Sequence, residues 1–147
     1  MKKQVILLLS LVCSINILAQ KEEVSMHSIL ESAGKYLNYI ERELGQEIVR
    51  MEFDIIQSSK QTFRTLTDEY TYGICVFGDH RIEDIDVKVY KWVNEQWVLI
   101  EKDEDSESVA VVTISPSTTA EYKIVISAYS FEDGYEAGHY GLMIFHE

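Results

Sequence analysis

The stretch GDHRIEDIDVKVYKWVNEQWVLIEKDED, Gly78 to Asp105, decides the fold. Within it Ile85, Val87 and Val89 alternate with Asp86, Lys88 and Tyr90, the two-residue period of a strand with one apolar face. Asn94, Glu95 and Gln96 interrupt the apolar pattern and Trp97, Val98, Leu99 and Ile100 resume it, so the spacing predicts a hairpin closed by a short polar loop. Asp84 and Asp86 open the first strand, and Asp103, Glu104 and Asp105 close the second. Antiparallel pairing would gather both clusters at one end of the sheet, where like charges repel unless solvent or a cation screens them.

On either side of the hairpin the same signals recur. Gln61 to Leu66, Tyr70 to Phe77, Val109 to Ile114, Tyr122 to Tyr129 and Tyr140 to Phe145 are apolar or β-branched runs bounded by turn residues such as Ser115-Pro116-Ser117 and Asp133-Gly134. Val49, Met51, Phe53 and Ile55 also alternate with charged residues, although a helix would place several of them inward too, so residues 47–57 stay open between strand and helix. Only one segment has a helical period. Met26, Leu30, Ala33, Leu37, Ile40 and Leu44 recur at steps of four and three, with Ile29 and Tyr36 widening the face. Ser25 or Ser28 is placed to cap the start, Ser28 with Glu31 three residues on, and Gly45 to end the helix. Seven or eight short strands with one N-terminal amphipathic α-helix predict an antiparallel β-sandwich, jelly-roll-like, with the helix docked through Leu30, Leu37, Ile40 and Leu44.

A chain of 147 residues is one domain's worth, and 46% apolar composition favours a folded one. Residues 1–19 read as a signal peptide: Lys2 and Lys3, an apolar run from Val5 to Leu18, then Ala19. The apolar run falls short of the ~20 residues of a membrane span, and Val12 before Cys13 is a poor fit to lipoprotein processing. Residues 20–46 then form a leader and the helix, and 47–147 the sandwich. The expectation is export to the periplasm or beyond, with no transmembrane segment after signal removal. Cleavage removes two lysines and no acid, taking the net charge from −12 to −14. So acidic a surface repels phosphate backbones and excludes nucleic acid as a partner, while divalent cations and basic proteins remain compatible. Cys75 is then the lone cysteine, expected as a buried, inert thiol.

Sites of chemistry are hard to find. His27, His80, His139 and His146 lack metal-ligand spacing and read as surface histidines. No serine sits in a nucleophile elbow, and no phosphate-binding or dinucleotide loop occurs. Tyr90, Trp92 and Trp97 flank the hairpin and are candidates for a flat aromatic platform for sugar or peptide; packing beneath the helix accounts for the same residues and is the favoured reading.

From residue 61 to 147 the order of motifs resembles the bacterial pre-peptidase C-terminal domain, a secreted β-sandwich often appended to exported proteases. The matching pieces are Tyr70-Thr-Tyr-Gly-Ile, Asp84-Ile-Asp-Val, Asp103-Glu-Asp, Val109 to Pro116, Tyr122-Lys-Ile-Val-Ile and Gly138-His-Tyr-Gly-Leu. The resemblance implies a β-sandwich and an exported address. It also implies that Asp84, Asp86, Asp103 and Asp105, with Glu104 or Glu107 as a spare ligand, stand where some members of the family bind calcium. The helix lies outside the resemblance. The expected function is a secreted, non-enzymatic binding or structural module with an unknown protein or glycan partner; the alternative is a hydrolase, or an accessory or inhibitor-like partner of one.

Overall fold

The computed structural model describes residues 25–147; the expected signal peptide and the leader to residue 24 lie outside them. Helix α1 (His27–Asn38) runs into a π-helical turn (Tyr39–Glu43) and is followed by eight strands: β1 (Glu47–Ile56), β2 (Ser59–Leu66), β3 (Tyr72–Gly78), β4 (Ile82–Val93), β5 (Gln96–Asp103), β6 (Val109–Ile114), β7 (Ala120–Phe131) and β8 (Gly138–His146). Residues 47–56, left open by the sequence, are a strand. The strands form two antiparallel four-stranded sheets, one in the order β1-β8-β3-β6 and the other β2-β7-β4-β5. Only the β4–β5 connection stays within a sheet; every other one crosses, so each crossing pins the two layers together. The predicted hairpin is present, closed by Asn94 and Glu95, both with positive φ (48° and 64°). That is the two-residue turn whose twist matches the flanking strands.

Ile85, Val87 and Val89 of β4 face Ile74 and Val76 of β3 and Leu142 and Ile144 of β8 across a core that also takes Tyr122, Ile124 and Ile126 from β7. The second apolar cluster lies on the outside of the β1-β8-β3-β6 sheet. There Ile29, Ala33 and Ile40 of the helical segment, flanked by Tyr36 and Leu37, pack on Cys75, Phe77, Met143 and Phe145. The helix therefore docks on the sandwich as expected, but through a shifted stripe. Leu30 is 51% exposed and Leu44 47%. The docked positions 29, 33, 36 and 40 follow one straight seam of the helix, with Ala33 letting the backbone approach; Leu30 falls beside the seam. The wider winding of the π turn rotates Leu44 off it. Gly45 (φ +69°) ends the segment, as its lack of a Cβ permits. The expected Ser28 capping box does not form: Ser28 lies inside the helix, and only Ser25 Oγ acts at the start, accepting from the His27 amide at 3.3 Å.

Candidate functional site

Which sheet the helix covers decides the fate of the aromatics. Because α1 lies on the β1-β8-β3-β6 sheet, the outward face of the other sheet carries no helix among the described residues. Asp86, Lys88, Tyr90 and Trp92 alternate onto that face of β4. Strand registers set Phe63 of β2, Lys123 of β7, Tyr90 of β4 and Leu99 of β5 in one row across all four strands, with Trp92 opposite Trp97 in the next. The Lys123 ammonium sits 4.6 Å from the Tyr90 ring centre and 5.0 Å from that of Trp97, a cation held by two π faces. Trp97 folds back over the sheet, with its ring 5.0 Å from Trp92 and 5.6 Å from Phe63. Phe63 and Trp92 remain 43% and 42% exposed. Packing beneath the helix, the favoured sequence reading of Tyr90, Trp92 and Trp97, is thus corrected: those rings and the helix are on opposite sides of the sandwich. Nor is the platform flat. The rings are inclined to one another by 50° and 57°, making a cradle. Phe63 escaped notice because it arrives from a strand distant in sequence; only the register of β2 on β7 brings it in.

The acidic residues occupy the far end of the same face. Pairing Val87 with Asp103 puts the β5 terminus beside Asp86, as the hairpin predicted. Asp84 and Asp86 are only 7% and 9% exposed. Burial raises the pKa of both; at Asp84 a hydrogen bond from Ser106 partly offsets this and Glu83 adds to it, and at Asp86 the charges of Asp84, Glu104 and Asp103 add to it while Lys88 opposes them. Asp84 Oδ1 is buried without a hydrogen-bond partner. The others are engaged. Asp103 accepts from the amides of Asp105 (3.1 Å) and Val111 (2.8 Å), tying down the loop into β6. Glu104 is gripped by Lys102 and by Lys88 (2.5 Å to the latter), whose hydrogen bonds hold its carboxyl down at about 2. Asp105 lies in the exposed loop, its carbonyl accepting from the Glu107 amide, and the Glu107 carbonyl accepts from the Ile85 amide. Among the described residues no three His, Cys, Asp or Glu side chains converge as a preformed metal cage.

A third constellation was invisible in the sequence. Asp79, Arg81 and His139, all buried, lock the β3–β4 turn to the start of β8. Arg81 Nη2 donates to Asp79 Oδ2 at 2.5 Å and to His139 Nδ1 at 2.7 Å, so the imidazole proton belongs on Nε2. The backbone amides of Arg81 and His139 also donate to Asp79, at 3.0 and 3.1 Å. Burial alone would raise the Asp79 pKa; the Arg81 side-chain and backbone hydrogen bonds and that of the His139 amide outweigh it and leave the group below the usual aspartate range. His139 is therefore a buried structural residue, not the surface histidine expected. Beside this lock is a polar cavity of about 440 Å³ lined in part by Ser28, Glu31, His80 and Glu83, with Ser28 Oγ 3.4 Å from His80 Nδ1. Cys75 is buried and free, its thiol pushed up to about 12 by burial, as an inert core cysteine should be.

No family model and no curated protein matches the sequence. Solved structures do match in shape. The pre-peptidase C-terminal domain of a Bacillus anthracis collagenase superposes with a TM-score of 0.51 at 10% identity, covering 65% of this chain and 87% of that one. A surface-associated copper-binding protein of Methylomicrobium album does so at 0.50 and 8% identity, over 64% and 91% of the two chains. The Aeromonas hydrophila periplasmic inhibitor of g-type lysozyme gives 0.49 and 11%, over 71% and 90%. The fold is thus like that of the pre-peptidase C-terminal domain, as the motif order suggested. At these identities the likeness is one of architecture. No helix among the described residues is long and apolar enough to cross a membrane.

Proposed function

We propose that the chain is an exported, non-enzymatic binding module that holds a glycan segment across the outer face of the β2-β7-β4-β5 sheet. The observation that carries this reading is that α1 packs on the opposite sheet, so that Phe63, Tyr90, Trp92 and Trp97 form an aromatic cradle open to solvent. Tilted rings offer apolar faces to the C–H surfaces of a curved sugar chain, while Lys123 and Lys88 in the same face supply hydrogen-bond donors to hydroxyls. Export is supported by the N-terminal sequence. Titration of tryptophan fluorescence with a panel of neutral oligosaccharides tests the reading. A saturable change is expected with at least one of them, lost in Trp97→Ala. No response from any sugar, with a saturable response to peptides through the same rings, would replace the glycan with a protein partner. Turnover of generic ester or glycoside substrates, abolished by Ser28→Ala, would instead establish the hydrolase alternative.

Calcium at the acidic end is a second reading, supported by the unpartnered buried Asp84 oxygen and the mutual repulsion between Asp84 and Asp86. Those two carboxylates would be the core of the ligand set, with Asp103 and Asp105 joining through the loop that Asp103 anchors; the cation would supply charge neutralisation. If it binds the folded state alone, millimolar calcium raises the melting temperature over that in EDTA, and Asp84→Asn removes the difference. Equal melting temperatures in wild type would reduce the cluster to solvated surface.

A further inference from the structure

The seam between β1 and β2, the two edge strands that face each other across the sandwich, is lined by charge. Lys60 pairs with Asp54 at 2.7 Å, and Thr62 donates to Glu52 at 3.3 Å. Farther along, Arg50 and Arg64 both turn to the single carboxylate of Glu52, Arg50 in direct contact and Arg64 at 3.9 Å. Two guanidiniums sharing one carboxylate leave one positive charge over. Both Nε atoms are buried and have no hydrogen-bond partner, a costly state for groups that donate so strongly.

Arg50 is there because of a β-bulge. The register of β1 on β8 shifts between Ile48 and Arg50. Ile48 packs on the helix side of the sheet; simple alternation would send Arg50 to that side as well, and the extra residue, Val49, turns it into the seam instead. The arginines border a cavity of about 320 Å³ whose other walls include Val49, Leu66, Tyr72 and His146. Among the described residues no acidic side chain lines it. One wall is stiff: His146 stacks on Tyr70 with ring centres 4.0 Å apart and meets Tyr72 edge-on, and the Tyr72 hydroxyl is fixed by Thr67 at 3.1 Å.

In a protein of net charge −12, a cavity with two arginines and no lining acid is a local reversal of sign. We propose that this seam is a second binding site, separate from the aromatic face, for a small carboxylate-bearing ligand. A planar carboxylate fits the fork of a guanidinium and accepts two hydrogen bonds from it. The apolar side chains of Val49 and Leu66 and the rings of Tyr72 and His146 then hold the body of the ligand, and Glu52 is the internal carboxylate against which it competes.

Two carboxylate sources are distinguished by two probes, glucuronate for an acidic sugar and N-acetyl-alanine for a peptide terminus, each run against its uncharged methyl ester at constant ionic strength. Binding is followed on the arginine Nε–H resonances of the wild-type protein, which needs no variant. Saturable shifts of the Arg50 and Arg64 signals are expected with one acid and not with its ester. Arg64→Gln should weaken binding by about tenfold or more, the scale of a lost charge-assisted hydrogen bond. Arg50→Gln serves if the first variant does not fold. Shifts equal for acid and ester, shifts reproduced by chloride, affinity unchanged in a folded variant, or no saturable shift with either acid would each overturn the proposal.

Discussion

The two outer faces of this sandwich are treated in opposite ways. The β1-β8-β3-β6 face is sealed by a helical segment that buries Ile29, Ala33 and Ile40 against Phe77 and Met143. The β2-β7-β4-β5 face carries large apolar side chains as well, yet has no helical cover among the described residues, with Phe63, Trp92 and Leu99 exposed. Apolar surface on a sheet thus has two meanings here. Under the helix it stabilises the fold; on the bare side it costs solubility, and the proposed binding role gives it a use.

The largest effect is expected at the lock that joins the faces, since the Asp79 turn leads from β3 in the covered sheet to β4 in the open one. Asp79→Ala strands the buried Arg81 charge and should cost about 3–5 kcal/mol in denaturant unfolding; a loss below 1 kcal/mol would mean that Arg81 finds water. Next comes the covered face itself. Ile29→Ala should cost about 2–5 kcal/mol, as large-to-small core changes do, and an unchanged midpoint would show that the helix is not docked in solution. On the bare face, Trp92→Ala should cost about 1 kcal/mol, mostly its ring contact with Trp97. A cost as large as that of Ile29→Ala would make the aromatics a second core and end the contrast.

The smallest effect is one of pH. Asp84 and Asp86 have raised pKa values in the folded protein, so between the ordinary aspartate value and the raised one the native state holds more protons than the unfolded state. Their contribution to stability therefore falls as pH rises through that window. Asp79, held low, acts in the opposite sense: its contribution is present above the ordinary value and is lost as pH falls through the lowered one. Unfolding midpoints measured between about pH 4 and 7 should thus fall less steeply with rising pH in Asp84→Asn than in wild type. A parallel curve would show that Asp84 does not titrate in that window.

Much of this contrast was written in the strands, and part of it went unread. Alternation in Ile85 to Tyr90 revealed a strand with one buried face, and the two acidic runs correctly foretold which strand ends would meet. The helix was legible from its period, but its seam was not, because Leu30 and Ile29 lie on adjacent lines of one apolar face and only the packed surface chooses between them. The covered sheet had its own signature. Tyr72 to Phe77 and Gly138 to Phe145 are buried without alternation, the mark of strands covered on both sides. β4 and β7 alternate, which required one open face. Comparing those two patterns would have sent the helix to the right sheet and exposed Trp92 and Trp97. The Asp79–Arg81–His139 lock and the arginine seam left no such trace, since each joins residues far apart in sequence through a turn or a bulge that no periodicity records.

Cys75, the single cysteine of residues 25–147, lies in the cluster directly beneath the helix. Its position makes the native protein its own clock. Cys75 is 3% exposed, at the floor of an apolar pocket bordered by Tyr39 and Leu44, so the rate at which a thiol reagent labels this one sulfur should follow how often the helical segment lifts from it or the domain opens. Ligand held on the opposite, open face would leave that rate untouched if the two sides of the sandwich act independently, and would slow it if occupancy at one surface is felt through the core at the other.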